Sequence, residues 1–169
     1  MPSVFLSIGS NKGDRLKALA DAFVALQSRA GIIQEYSSVY ETEPWGFEAD
    51  QQFYNQVLLL KAEMAPHKLL STLLDIEISM GRVRQRGTYQ SREIDIDILL
   101  YDDRIINSEE LRIPHPRMQD RKFVLVPLAE IAAGYIHPVS GRSIQQLLDE
   151  CKDRTKVVMC CERDSLPLI

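Results

Sequence analysis

The run Arg92-Glu93-Ile94-Asp95-Ile96-Asp97-Ile98-Leu99-Leu100 constrains this chain more than any other. Acid and isoleucine alternate strictly, which is the two-residue period of a β-strand, so Glu93, Asp95 and Asp97 share one face and Ile94, Ile96 and Ile98 the other. The isoleucine face belongs to a core. The acidic face stacks carboxylates roughly 6 to 7 Å apart, which is self-repelling unless cations sit among them. Oxygen-only donors of this kind suit a hard cation such as Mg²⁺ held jointly with phosphates. Arg82-Val83-Arg84-Gln85-Arg86 precedes the run, and His115, Arg117 and Arg121 follow it. Guanidinium forks match phosphate oxygens, so acids bracketed by arginines point to a metal-polyphosphate site. The same alternation also fits any half-exposed edge strand, and the Asp-Ile-Asp triplet by itself does not separate the two readings.

With 169 residues, 45% of them hydrophobic, the chain can bury one sizeable core and is short for two, so a single domain over residues 1–169 is expected. A net charge of -4 and a pI near 5.4 speak against a general nucleic-acid or anionic-membrane surface, which leaves the arginines as local tools. Cys151, Cys160 and Cys161 lack metal-ligand spacing and read as reduced thiols. The apolar run Val4 to Ile8 is too short for a signal peptide or a membrane span, and a cytoplasmic protein is expected.

Val4 to Ile8 reads as a first strand ending at Gly9-Ser10-Asn11. A helix follows from about Asp14 to Arg29, carrying Leu16, Leu19, Ala20, Phe23 and Leu26, with Gly31 closing it. The glycine turn fits either a phosphate loop or ordinary turn and N-cap chemistry. Ile32 to Tyr40 reads as one strand, broken by Glu41-Thr42-Glu43-Pro44-Trp45-Gly46, and Tyr54 to Glu63 as a strand buried on both faces. Pro66 opens a second helix whose apolar stripe runs through Leu69, Leu70, Leu73, Leu74 and Ile76 and continues into Glu77. A carboxylate on that stripe is either a partner of Arg82 or Arg84 or a ligand-binding group. Gly81 ends the helix, and the segment to Ser91 is a long connection.

Beyond the acidic strand, Ile105 to Ile113 suggests a short hairpin, and Pro114-His115-Pro116 holds His115 out of any helix. Phe123 to Ile131 reads as a short helix interrupted at Pro127, Ser143 to Glu150 as a capped surface helix, and Lys156 to Cys161 as an edge strand. The order strand, helix, strand, strand, helix, strand predicts an α+β, ferredoxin-like split βαβ sandwich. It has an antiparallel sheet, two main helices on one face and C-terminal additions.

These motifs together resemble the 6-hydroxymethyl-7,8-dihydropterin pyrophosphokinases of folate biosynthesis. The resemblance rests on Ile8-Gly9-Ser10-Asn11, Glu41 to Gly46, Phe53-Tyr54-Asn55, Glu77 to Arg84, Arg92 to Leu99, Pro114-His115-Pro116 and Arg121 to Leu128. It implies transfer of pyrophosphate from ATP to the hydroxymethyl group of the pterin, with release of AMP. On that template Asp95 and Asp97 hold two Mg²⁺ ions, and Arg82 and Arg92 join them as catalytic residues. Arg82, Arg84, Arg92, His115 and Arg121 match positions that contact the triphosphate, with Tyr89 on the ATP side as well. Leu70, Glu77, Ile98 and Leu111 match the nucleoside side. The pterin is implied to lie between Phe53 and Phe123, with Asn55, Asp95 and groups near Gly9, Thr42, Pro44 and Trp45 around its polar edge. Either phenylalanine taken singly fits core packing equally well. The chain departs from the family in Tyr89-Gln90-Ser91, where a Trp and a Gly-Pro-like pair are usual.

Two other classes share parts of this pattern. A metal-dependent phosphohydrolase could use the same aspartates and would release phosphate with no acceptor. A ferredoxin-like RNA-binding module would need an aromatic and basic central strand where this chain has an acidic one. The expected partners are therefore two small substrates, ATP and the pterin, with no nucleic acid and no membrane, acting on a monomer. No second domain is expected within this chain, and so no fusion to another pathway enzyme.

Overall fold

The computed structural model describes residues 1–43, 51–81 and 93–166. Strand β1 (Ser3–Ser10) is buried along almost its whole length because it has a partner on each side. On one side it pairs antiparallel with β4 (Phe53–Lys61), and on the other with β5 (Asp95–Tyr101), the acidic strand. Strand β4 continues the sheet through β2 (Ile32–Tyr36) and β3 (Val39–Thr42), β6 (Ile106–Asn107) and β7 (Arg112–Ile113) pair with each other as a separate small hairpin, and β3 pairs with β8 (Val157–Cys161). The sheet order is β5-β1-β4-β3-β8, with β2 on β4 beside β3, and the acidic strand is an edge.

Helices α1 (Arg15–Arg29) and α2 (Pro66–Ser79) cover one face of this sheet. Their Leu19, Phe23, Leu26, Leu69, Leu73 and Ile76 pack with Val4, Leu6, Ile8, Leu58, Ile96 and Ile98. The opposite face is covered over part of its area by α3 (Lys122–Ala132) and α4 (Ile144–Glu150). There Val124, Leu125, Leu128 and Leu147 meet Phe5, Val57, Leu99 and Leu100. The fold is thus the expected antiparallel sheet with two main helices on one face, and its C-terminal additions form a partial third layer. Among the described residues no helix is long and apolar enough to cross a membrane.

The isoleucine face of β5 is core, as its alternation requires: Ile94, Ile96 and Ile98 are 0%, 4% and 6% exposed. The pairing with β1 slips after Leu6↔Ile98, so that Phe5 faces Leu100 and Leu99 is the extra residue of a bulge. Leu99 and Leu100 consequently both join the cluster under α3.

Several local expectations are corrected. Ile32 to Tyr40 is two strands, because the chain steps at Ser37-Ser38. The Ser37 hydroxyl accepts the Val57 N–H at 2.9 Å while the Ser37 N–H donates to the Val57 carbonyl at 2.9 Å, so a side chain replaces one rung of the ladder. Helix α3 runs through Pro127 without a break. A proline there forgoes only one helical hydrogen bond, and burial of Val124, Leu125 and Leu128 against the sheet outweighs it. Leu16 is 38% exposed and lies off the buried stripe of α1, which uses Ala22 instead.

Gly31 has a different task from the one its position suggests. Helix α1 ends on Ala30 in a right-handed conformation, and Gly31 is needed because a Cβ there would lie 2.2 Å from the Lys61 carbonyl oxygen. That contact is backbone on backbone and cannot be relieved by a rotamer change. Gly31→Ala is therefore expected to lose about 1 to 3 kcal/mol of stability through a forced separation of the α1–β2 turn from the end of β4. Urea unfolding, read as a lower midpoint with an unchanged slope, checks this.

Candidate active site

The site begins with the strand alternation that gathers small and polar residues on one sheet face. Asp95 and Asp97 lie opposite Gly9 and Ser7 of β1, and Gly9 and Ser7 lie opposite Asn55 and Val57 of β4. Ser7, Gly9, Asn55, Asp95 and Asp97 therefore share the face on which α3 packs. Ser7 and Gly9 put nothing larger than a hydroxymethyl group between the acidic strand and Asn55. They form a low floor. Ser7 was not among the residues singled out by sequence, although its place between Phe5 and Gly9 on a strand of bulky Val4, Leu6 and Ile8 was the available signal.

One end of the floor is polar and fixed. The Asn55 amide donates to Thr42 Oγ1 at 2.7 Å, and both residues are nearly inaccessible, 4% and 1% exposed. A Cβ on residue 9 would lie 2.8 Å from Asn55 Oδ1, so the glycine is what lets that amide adopt its orientation. Phe53 opposes Thr42 across the ladder and shares the face of Asn55. Phe123, in the first turn of α3, is partly buried against the cluster that covers this same face. The Arg121 guanidinium lies 5.7 Å from the centre of its ring.

The other end is charged. His115 follows a cis Ile113–Pro114 bond, and its N–H donates to the Leu99 carbonyl of β5 at 2.9 Å, which brings the ring beside the acidic strand. Burial, with the positive charges of Arg121 and Arg117 outweighing the negative charge of Asp95, pushes its pKa down to about 4. Nδ1 accepts the Arg117 N–H at 3.2 Å, so the neutral ring carries its proton on Nε2 and presents a donor there.

Glu77 is 1% exposed, and its Oε1 accepts the Ile96 N–H of β5 at 2.7 Å. Neither of the roles considered from sequence describes this contact: the carboxylate fastens the outer edge of the acidic strand. Ile98 and Leu111 belong to the core between α2 and the sheet, with Leu70 packed against it. These residues and Glu77 thus line the opposite side of β5 from the aspartates. Arg82, Arg84, Tyr89, Arg92, Pro44 and Trp45 lie outside the described residues.

Among the described residues no group of three or more His, Cys, Asp or Glu side chains is placed to hold a metal ion. Asp95 and Asp97 alone fit Mg²⁺ nonetheless. This ion is commonly held by one or two carboxylates, with phosphate oxygens and water completing its shell.

Paired carboxylates on a ferredoxin-like sheet, flanked by a neutral histidine, arginine and an aromatic-and-amide slot, define the layout of a kinase. The family described as 7,8-dihydro-6-hydroxymethylpterin-pyrophosphokinase matches residues 5–133. A Porphyromonas gingivalis protein named 2-amino-4-hydroxy-6-hydroxymethyldihydropteridine pyrophosphokinase is 44% identical over 141 residues, covering 82% of this chain and 95% of its own. An Aquifex aeolicus protein of the same name is 38% identical over 161 residues, covering 95% and 98%. The Pneumocystis carinii folic acid synthesis protein fol1 is 39% identical over 153 residues, which are 89% of this chain and 20% of that one. The solved Plasmodium falciparum HPPK-DHPS superposes with a TM-score of 0.73 at 18% identity, over 88% of this chain and 43% of that one, a likeness of fold. The chain belongs to the 7,8-dihydro-6-hydroxymethylpterin-pyrophosphokinase family.

The lowered pKa of His115 makes a prediction about acid stability. Its folded value, about 4, lies below the ordinary histidine value of 6.5, so between these limits the unfolded chain takes up a proton that the folded one refuses. The stability this residue contributes is fully present above pH 6.5 and is lost as pH falls towards 4, by about 3 kcal/mol at most. His115→Gln should flatten that part of the pH profile of chemical unfolding, measured without nucleotide or metal.

Proposed function

We propose that this chain transfers pyrophosphate from ATP to the hydroxymethyl group of 6-hydroxymethyl-7,8-dihydropterin, releasing AMP, as a step of folate biosynthesis. The observation that carries this reading is the acidic pair Asp95 and Asp97, on one sheet face with the small floor of Ser7 and Gly9 and the Thr42–Asn55 amide. Family membership supports the same reaction. Residues 1–169 act as one domain, and because the candidate groups all come from one chain, a monomer suffices.

In this reading the pterin ring lies between Phe53 and Phe123, with the Asn55 amide and the backbone near Gly9, Thr42, Pro44 and Trp45 meeting its donors and acceptors. Aromatic faces supply area and the fixed amide supplies orientation. His115, Arg121, Arg82, Arg84 and Arg92 meet the triphosphate, with Tyr89 on the ATP side. Neutral His115 donates from Nε2, adding no positive charge but one directed hydrogen bond. Leu70, Ile98 and Leu111 bound the nucleoside apolarly, and Glu77 acts there by holding β5 in place.

The chemistry joins the hydroxymethyl oxygen to the β-phosphorus and breaks the bond from that phosphorus to the oxygen bridging it to the α-phosphorus. AMP leaves with that oxygen, and the hydroxyl proton is released. Asp95 and Asp97 would hold two Mg²⁺ ions, which when bound neutralise phosphate charge and polarise the attacking and leaving oxygens. The protein's own share is positioning: the floor sets the distance of the hydroxymethyl group from the acidic strand, and the arginines orient the triphosphate.

Incubation with ATP, Mg²⁺ and the hydroxymethyl pterin should yield AMP and no ADP. Phosphate release without an acceptor would instead indicate a phosphohydrolase. Asp97→Asn should lower turnover about 100-fold or more, since it removes one full charge from the cation site. The metal-free variant should melt at or above the parent temperature, because Asp95 and Asp97 repel each other on one strand face. A melt well below the parent in EDTA would make Asp97 a structural residue. Phe123→Ala should weaken pterin binding by about 1 to 3 kcal/mol and leave ATP binding nearly unchanged, as calorimetry can read.

A further inference from the structure

The residues that follow the family match, beyond residue 133, include a strap that touches both α3 and the sheet. After α4 the chain reaches the start of α3, where Asp153 Oδ2 accepts the Lys122 N–H at 3.0 Å. The helix does not cap itself at this end: its N-cap residue, Arg121, makes no side-chain capping bond, and its first turn contains no acid. A carboxylate at this place satisfies an orphan N–H and faces the positive end of the helix dipole.

The carboxylate is itself held. Its second oxygen, Oδ1, accepts the Thr155 N–H at 2.9 Å and the Thr155 hydroxyl at 2.6 Å. Burial works against the charged form, yet these bonds, the one from Lys122 and the Lys122 charge keep its pKa below the usual carboxylate range. The strap then pairs as β8 with β3, and the Arg163 N–H donates to the Ser38 hydroxyl at 3.0 Å. That hydroxyl donates to Glu130 of α3 at 2.8 Å, and Glu130 also accepts the Ser38 N–H and the Tyr40 hydroxyl. The strap therefore grips the first residue of α3 directly and meets its far end through Ser38, which with Tyr40 binds Glu130. Lys122, the residue gripped by Asp153, sits between Arg121 and Phe123.

We infer that Asp153 is a positioning residue for the substrate-facing end of α3, holding Phe123 to the acceptor ring and Arg121 to the phosphates through its bond to Lys122. This rests on the pyrophosphokinase reading given above. Because it acts on placement and not on the reacting atoms, loss of Asp153 weakens ground-state and transition-state binding alike, which raises KM and spares kcat. Asn offers one acceptor oxygen where Asp153 uses two, so it keeps the Lys122 bond only by giving up the Thr155 N–H bond and replaces Asp in part.

Steady-state kinetics of the parent, Asp153→Ala and Asp153→Asn decide the matter. Asp153→Ala is expected to raise KM for the pterin and for ATP about fivefold with kcat within about twofold, and Asp153→Asn to give KM values between those of Asp153→Ala and the parent. A lower melting temperature with both KM values unchanged would overturn the inference and leave Asp153 structural. A fall in kcat at constant KM would overturn it as well. If Asp153→Ala fails to fold, Thr155→Val, which removes the hydroxyl bond to the carboxylate and keeps the backbone one, should give the same KM pattern at smaller size, and unchanged KM values there count against it. Should the parent itself form no AMP, the pyrophosphokinase reading fails and hydrogen exchange decides the positioning claim separately. The amides of residues 122–124 should exchange faster in Asp153→Ala than in Asp153→Asn or the parent, and equal exchange in all three overturns it.

Discussion

The buried hydrogen bond from the Ile96 N–H to Glu77 carries more of this structure than its size suggests. Strand β5 is an edge, so half of its backbone donors point away from the sheet, and an edge bearing adjacent like charges has little reason of its own to stay in register. Glu77 supplies that reason from the helix side. It meets one outward N–H with a carboxylate that burial makes a strong acceptor, while Ile94, Ile96 and Ile98 supply the apolar anchorage on the same side. The repulsion of Asp95 and Asp97 on the other face is thereby borne by contacts on the reverse side of the strand. An acidic edge of this kind is stable only because its reverse face is a core.

The active face follows from the same division. Small residues at 7 and 9 of β1 keep large side chains off the floor between the acids and Asn55. The aromatic and basic groups approach from above on segments that the central sheet does not include: His115 after the small hairpin, and Arg121 and Phe123 at the start of α3. Their placement depends on contacts far apart in sequence, such as Leu99 to His115 and Asp153 to Lys122.

That distinction explains what could be read from sequence. The acidic strand, both main helices, the capped helix α4 and the edge strand β8 were legible because each has its own local period or cap, and the ordered motifs named the family. The step at Ser37-Ser38 was hidden because its cause is a side chain borrowed into the ladder with Val57, a residue 20 positions away. The uninterrupted α3 was hidden because proline's local cost was weighed without the sheet beneath it. Gly31 looked like a helix stop because its true constraint, the Lys61 carbonyl, is not adjacent in the chain. Glu77 stood out by its place on an apolar stripe, but its partner is a backbone N–H, and no residue type signals a backbone donor. Ser7 and Asp153 left still less trace.

The bulge at Leu99 gives β5 a property distinct from its chemistry. Above it, alternate side chains send aspartates to the active face; below it, the added residue makes Leu99 and Leu100 both face the layer under α3. The strand is in effect two half-strands of different phase, welded at one residue. Removing that residue would force one half out of phase with the other, exposing leucine or turning an aspartate into the core. This segment is therefore closed to insertion or deletion, so its length should be among the most rigid traits the chain hands down.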